Sequence, residues 1–222
     1  IYARGTLIID TVVSRLFRWE RINLMARKIF KQRRQNPIIF LGVEGKNKTE
    51  YNYFKNFHSR NYKIRFSKTG CTDIDSMAEE LYELMVEHDF NTENGDRAFL
   101  VVDTDDKRSR IEEIKKKLPF CKKNHIEVIV SSPEIEVWFL FHYIDKNMPS
   151  SKKDIKRELE KYIGKKYNKS DDIYSSLKLL TDKAIQNSKK YESRLGSEKT
   201  LSFCPRTEVC KIVEYIKSLS NE

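Results

Sequence analysis

Short apolar runs alternate with segments of helical spacing through the first two thirds of the chain. Such runs cover 38–41, 98–102 and, interrupted by one acid, 126–130, whereas residues 62–66 alternate apolar and basic side chains and are also β-prone. Runs of this length are typical of buried strands, and the segments between them repeat apolar residues at the spacing of a helix face. Strands that alternate with helices favour a mostly parallel sheet with helices on both faces. The pattern therefore predicts an α/β fold.

From about residue 150 the pattern contains helices only. We predict them at 153–162, 172–190 and 207–219. We therefore expect a catalytic core at 25–148, followed by a helical C-terminal extension at 149–222. Because Met25 resembles a natural start, we interpret residues 1–24 as a non-native or upstream extension.

The composition favours a nucleic-acid partner. The net charge is +10 and the isoelectric point is about 9.3, and clustered lysines and arginines gain affinity for phosphates by releasing counterions. No apolar stretch approaches the roughly 20 residues of a membrane span, and no secretory signal pattern precedes the first strand. We therefore expect a soluble, cytoplasmic protein that does not contact a membrane.

The cysteines do not indicate a zinc site. There are four of them, and no two form a C-x-x-C pair. Structural zinc sites use such closely spaced ligands. We therefore predict free thiols, and we look for candidate metal ligands among the carboxylates instead.

Acidic residues follow two of the predicted strands. Glu44 comes after the first strand, and Asp103 and Asp105 come after the third. Because the carboxyl ends of parallel strands meet at one edge of a sheet, these acids can converge there. Clustered carboxylates repel one another unless a hard cation lies between them, and Mg²⁺ prefers oxygen ligands. We predict an Mg²⁺ site, in which Mn²⁺ could substitute.

Polar residues in the aromatic segment 136–143 leave alternatives open. Glu136 lies among apolar residues, so it is either a further metal ligand or the partner of a surface lysine. His142 is either a hydrogen-bonded structural residue or a catalytic one. For Trp138 we predict a place in the core.

The first strand and its loop also suggest a competing function. Residues 42–49 nearly match the phosphate-binding loop G-x-x-x-x-G-K-[ST], with Asn47 where the second glycine belongs. Asparagine tolerates the left-handed conformation better than most residues. However, the carboxylate of Glu44 is electrostatically unfavourable in a loop that must wrap phosphate. We keep a degenerate P-loop as the weaker alternative.

Three segments resemble a known family. The first combines Glu44-Gly45 with Lys48-Thr49-Glu50, the second is Asp103-x-Asp105, and the third is the S-S-P-E-I-E-V-W-F-L-F-H-Y segment at 131–143. In order and spacing they are similar to motifs of RloB-type proteins, which are related to the AbiLii toxins of abortive phage resistance.

The resemblance implies a Rossmann-like TOPRIM fold. In that fold Glu44, Asp103 and Asp105 would hold magnesium, and Glu136 would join them. The resemblance also implies a partner ATPase encoded alongside, and a role in halting phage growth by damaging nucleic acid.

The resulting hypothesis is a magnesium-dependent nuclease that acts as the effector of an anti-phage system. Glu44 would be a metal ligand or the general base, and Lys48 would stabilise phosphate charge. The substrate could be DNA or RNA, tRNA included. The alternative from another class is a non-catalytic regulatory subunit that binds nucleic acid and controls a partner ATPase. The sequence does not indicate an oligomeric state.

Overall fold

A five-stranded sheet forms the centre of the computed structural model, which describes residues 36–44, 49–68, 70–195 and 204–220. Its spatial order is β2-β1-β3-β4-β5. The strands are β1 (Ile38–Gly42), β2 (Lys63–Phe66), β3 (Arg97–Asp103), β4 (Ile126–Ser132) and β5 (Arg206–Thr207). The first four strands are parallel, and β5 pairs antiparallel to β4. The prediction of a mostly parallel sheet is therefore confirmed.

Helices flank the sheet, as predicted for an α/β fold. They are α1 (Thr49–Phe54), α2 (Ile74–Glu87), α3 (Arg108–Lys123), α4 (Glu136–Phe141), α5 (Lys152–Ile163), α6 (Tyr174–Leu177), α7 (Thr181–Leu195) and α8 (Val209–Ser220). The side chain of Asp73 accepts a hydrogen bond from the backbone N of Ser76 at 2.8 Å. This bond caps the start of α2, where an aspartate precedes apolar residues at helical spacing.

Alternate residues of the strands enter two separate cores. In β1, Ile39 and Leu41 pack with α1, α4, α7 and α8. Ile38 and Phe40 pack instead with α2 and α3 on the other face. Both faces of the central strands are therefore buried, because successive side chains point to opposite sides. This explains why the strands appear in the sequence as continuous apolar runs.

The C-terminal third differs from its predicted pattern in two places. The helix expected at 172–190 is split into α6 and α7 by a 3₁₀ turn at Lys178–Leu180, where the Thr181 hydroxyl donates to the Lys178 carbonyl oxygen. Thr207 lies in β5 instead of the last helix, and its hydroxyl is 2.8 Å from that of Ser131. A two-residue strand has no periodicity, so only the paired partner identifies it.

The described residues from Pro37 onward belong to one compact unit. The division at 148/149 and the interpretation of residues 1–24 stay predictions, and residues 1–35 lie outside the described part of the chain. Within the described ranges, no helix is both long and apolar enough to cross a membrane. The four cysteines are free thiols, as predicted.

Candidate functional site

The acids at the strand ends reach different faces of the sheet. Asp103 ends β3 and follows Phe99 and Val101, which pack under α1 and α4. Glu44 lies two residues beyond β1 and forms an ion pair with Arg110 of α3, which covers the opposite face. Successive side chains of a strand point to opposite faces of the sheet. Asp103 and Glu44 therefore contact different neighbours, although both lie at the carboxyl edge.

Three carboxylates form a buried acid cluster, which consists of Glu50, Asp103 and Glu136. Glu50 lies in the first turn of α1, and Glu136 is the first residue of α4. The three residues are only 5%, 6% and 1% exposed, respectively. Each carries one buried oxygen without a hydrogen-bond partner in the described part of the chain: Glu50 Oε2, Asp103 Oδ1 and Glu136 Oε2. Unpartnered buried carboxylate oxygens are costly, which points to a ligand that satisfies them.

The protonation of the cluster reflects burial and crowding. Burial, together with the neighbouring charges of Glu50 and Glu136, raises the pKa of Asp103 well above its usual range. Burial is also the largest cause that raises the pKa of Glu50, to about 8. The pKa of Glu136 is raised by burial and then by the charge of Glu134. In the absence of a cation, the cluster therefore favours its protonated forms.

A loop from the C-terminal extension covers the buried acid cluster. This covering loop, residues 164–173, joins α5 to α6. The Tyr167 hydroxyl donates to Glu136 Oε1 at 2.9 Å, and Lys169 Nζ donates to Glu134 Oε2 at 3.1 Å. Lys169 Nζ also lies 3.9 Å from Glu136 Oε1. The Thr49 hydroxyl holds the loop in place by donating to the Lys169 carbonyl oxygen at 3.2 Å.

Glu44 and Asp105 each engage a cation beside the cluster. Glu44 is paired with Arg110, whose Nη1 also donates to the Thr72 carbonyl oxygen at 2.7 Å. Burial still raises the pKa of Glu44, against the opposing charge of Arg110. Asp105 is bound by Lys152, and Lys107 lies 3.7 Å from its other oxygen. Although burial pushes the pKa of Asp105 upward, the hydrogen bond and charge of Lys152 outweigh it and lower the value.

The structure therefore brings Asp103 and Glu136 together and places Glu44 and Asp105 at the rim. Lys48 lies outside the described residues. The ligand and catalytic roles of all five residues stay predictions.

The donor set fits a hard divalent cation by its chemistry. Carboxylate oxygens are the ligands that Mg²⁺ takes, and three of them lack partners in the buried acid cluster. The ligands are not preassembled, however: among the described residues, no group of three or more His, Cys, Asp or Glu side chains is already arranged to hold a metal ion. Mg²⁺ commonly retains several waters and takes few protein ligands, so such a preassembled group is not required.

His142 and Trp138 are both fully buried. The Trp138 indole N–H donates to the Tyr53 hydroxyl at 2.9 Å, and His142 Nδ1 lies 3.1 Å from the Trp138 carbonyl oxygen. The prediction of Trp138 in the core is confirmed. This backbone contact is the one expected if His142 is a hydrogen-bonded structural residue.

Burial lowers the pKa of His142 to about 4, below the roughly 6.5 of an exposed histidine. As pH falls, this histidine therefore binds a proton in the unfolded chain before it does so in the folded protein. Protonation then favours the unfolded chain, so the unfolding free energy decreases as pH falls from 6.5 towards 4. Relative to His142→Asn, we expect wild type to lose about 2 kcal/mol of unfolding free energy between pH 7 and pH 5. Urea unfolding of both proteins at both pH values measures this difference. Parallel pH dependence of the two proteins would contradict the expectation.

Several residues at the site have little or no signal in the sequence. Glu50 belongs to the Lys48-Thr49-Glu50 motif and Glu134 lies two residues before Glu136, so each is adjacent in sequence to a predicted site residue or motif. Tyr167 and Lys169 lie in a polar segment with no motif or periodicity. Only the folding of the covering loop over α1 and α4 identifies them.

Comparison with known proteins identifies one matching family. No curated protein and no solved structure matches the chain. The model of one protein family, described as RloB-like protein, matches residues 39–216. This range contains both strand ends, the aromatic helix α4 and the covering loop. The chain belongs to the RloB-like family.

Proposed function

We propose that this protein is a metal-dependent nuclease that cleaves phosphodiester bonds in DNA or RNA, possible substrates including tRNA, as the effector of an anti-phage abortive infection system. The observation that carries the proposal is the buried acid cluster, whose unpartnered oxygens lie at the carboxyl edge of a parallel sheet. Open α/β sheets bind ligands at that edge. Membership of the RloB-like family supports the defence role.

In this proposal Asp103, Glu136 and Glu50 hold the metal. Mg²⁺, or Mn²⁺ in its place, would polarise a phosphoryl oxygen and stabilise the leaving oxygen. Tyr167 orients Glu136 by donating to Oε1, which leaves Oε2 available for the ion. Such supporting hydrogen bonds commonly tune metal affinity.

Positive side chains around the cluster would act on the phosphate. Lys169 is 40% exposed and Lys152 is 37% exposed, so both can reach a ligand from the solvent side. Each would offset charge that develops on phosphoryl oxygens. Lys48, which lies between β1 and α1 in the sequence, is proposed for the same task.

Glu44 and Asp105 hold their ion pairs beside the metal ligands. Glu44 is proposed either as an additional ligand or as the general base, once Arg110 turns towards substrate phosphate. Asp105 would join as a ligand when Lys152 does the same. In both cases an anionic substrate competes for the cation that now holds the carboxylate.

Metal binding should raise stability measurably. We expect Mg²⁺ at about one hundred times its dissociation constant to stabilise the protein by about 2.7 kcal/mol, because the ion binds only the folded cluster. Thermal melts with added Mg²⁺ or with EDTA test this. Glu136→Gln should abolish the response, whereas Glu93→Gln, an exposed acid that precedes β3, should retain it. A full response from Glu136→Gln would contradict the assignment.

Cleavage is tested with mixed DNA and RNA in Mg²⁺, with and without the partner ATPase that the family resemblance implies. We expect cleavage that stops when EDTA removes the metal and resumes when Mg²⁺ is restored. Absence of cleavage even with the partner, combined with nucleic-acid binding, would favour the regulatory-subunit alternative. Toxicity in cells of wild type, but not of Glu44→Gln, provides a second measurement.

A further inference from the structure

A basic groove runs along the outer edge of the sheet, beside β2. It has a volume of about 430 Å³ and lies between the end of α1 and the edge strand. Lys55 and His58 line it from the α1 side, and Lys63 and Arg65 line it from β2. We call this feature the β2 groove.

The positive charge of the β2 groove is not neutralised within the described part of the chain. No described carboxylate lines the groove, and none forms an ion pair with Lys55, Lys63 or Arg65. The ion-paired basic side chains on α3, α5 and α8 differ from these. Most of them pair with an acid three residues away or on a neighbouring helix. An uncompensated basic concavity attracts anions.

The spacing of the charges suits a repeating anion. Lys63 and Arg65 are both exposed and lie two residues apart on the edge strand, so their cations are spaced along β2. A succession of separated cations matches the phosphates of an extended polynucleotide better than one compact anion.

Aromatic side chains accompany the charges. Phe57 and Phe66 line the groove and are only partly buried. The ring of Phe66 lies edge-on to Tyr51, with centroids 4.7 Å apart. Grooves that combine cations with accessible aromatic faces are typical of proteins that bind single strands, because every base can stack.

The β2 groove extends along β2 to Phe66, the last residue of the strand, and so approaches the edge where the buried acid cluster lies. β2 is parallel to β1, and Ser67, just beyond β2, donates its backbone N–H to the Leu41 carbonyl oxygen at 3.0 Å. Helix α1 joins the two features, since Glu50 in its first turn belongs to the cluster and Lys55 follows its last residue. A strand in the groove can therefore continue towards the acids.

We propose that the β2 groove binds the phosphate backbone of single-stranded nucleic acid and guides it to the buried acid cluster. The guidance rests on the proposed nuclease function, whereas the binding itself does not require a metal or cleavage. The groove would thus set a preference for single strands over duplexes.

The test measures binding of short fluorescein-labelled single-stranded DNA and RNA by fluorescence anisotropy in EDTA, where no cleavage occurs. We expect the double variant Lys63→Gln, Arg65→Gln to bind about tenfold more weakly. The slope of log affinity against log salt should fall by about 1.4, because each phosphate contact on a single strand contributes about 0.7. Lys55→Gln, which leaves the edge strand untouched, should weaken binding in the same direction.

The matched control is Lys122→Gln, Lys123→Gln. These exposed lysines at the end of α3 lie towards the opposite edge of the sheet, and the control removes the same two charges. Equal weakening by the control, or unchanged binding by all groove variants, would overturn the proposal. So would tighter binding of a duplex of the same sequence. Melting curves that match wild type exclude unfolding as the cause of weaker binding.

Cleavage assays on the same proteins separate the two proposals. Groove-dependent binding without any cleavage in Mg²⁺ would contradict the nuclease function and leave the binding site in place. Cleavage that every groove variant retains, together with unchanged binding, would contradict the groove and leave the nuclease function in place.

Discussion

Asp103→Asn is expected to reduce nucleic-acid cleavage about a thousandfold. Asparagine keeps the shape of the side chain but removes the charge that holds the metal. A bound metal ion stabilises the transition state by several kcal/mol, and each 1.36 kcal/mol corresponds to a factor of ten in rate. The measurement is single-turnover cleavage of labelled DNA and RNA in Mg²⁺.

Two controls accompany this substitution. Glu93→Gln removes one exposed carboxylate near the start of β3, and we expect it to cleave at the wild-type rate. In EDTA, Asp103→Asn should retain a cooperative melt, because the substitution is isosteric at a site that is 6% exposed. Wild-type cleavage by a folded Asp103→Asn protein would refute the central role of this residue.

Trp138→Ala is expected to destabilise the fold by about 3–5 kcal/mol, the usual cost of removing a large buried aromatic side chain. Trp138 is fully buried, donates to the Tyr53 hydroxyl and lies edge-on to His142, with centroids 5.2 Å apart. The substitution therefore creates a cavity and leaves the hydroxyl without this donor. Chemical unfolding measures the loss.

The control for this effect is Leu179→Ala. Leu179 is 89% exposed, so its truncation should change the unfolding free energy by less than about 0.5 kcal/mol. Because α4 carries Glu136, we also expect Trp138→Ala to weaken Mg²⁺ binding. A cost below about 1 kcal/mol would show that the surrounding core relaxes into the space.

The arrangement of the acids follows from the sequence only in part. The expectation that strand ends deliver carboxylates to one edge follows from parallel topology, and Asp103 is found there. Glu44 lies at the same edge, yet Arg110 binds it, and α3 brings this arginine from 66 residues away. The choice of partner depends on helix packing, which no spacing between Glu44 and Asp103 encodes.

The burial of Glu50 is a second feature of the site that the sequence does not predict. In the sequence Glu50 is an ordinary acid in the first turn of a helix, where acids commonly stabilise the helix dipole. In the structure it is 5% exposed and faces the charges of Glu136 and Glu44. Its burial arises because α1 packs against α4 and the covering loop, and the hydrogen bonds of these contacts join residues 85 and 120 positions apart.

The sequence by itself determined the class of the fold and the order of the central strands and helices along the chain. It also determined the cap at Asp73 and the membership of the RloB-like family. These features depend on local periodicity, local hydrogen bonds and ordered motifs. Tertiary structure alone decided which acids are buried together, that residues 164–173 bring Tyr167 and Lys169 to them, and that β5 completes the sheet. Those features depend on contacts between distant segments, where burial and charge are set by neighbours that the local pattern does not specify.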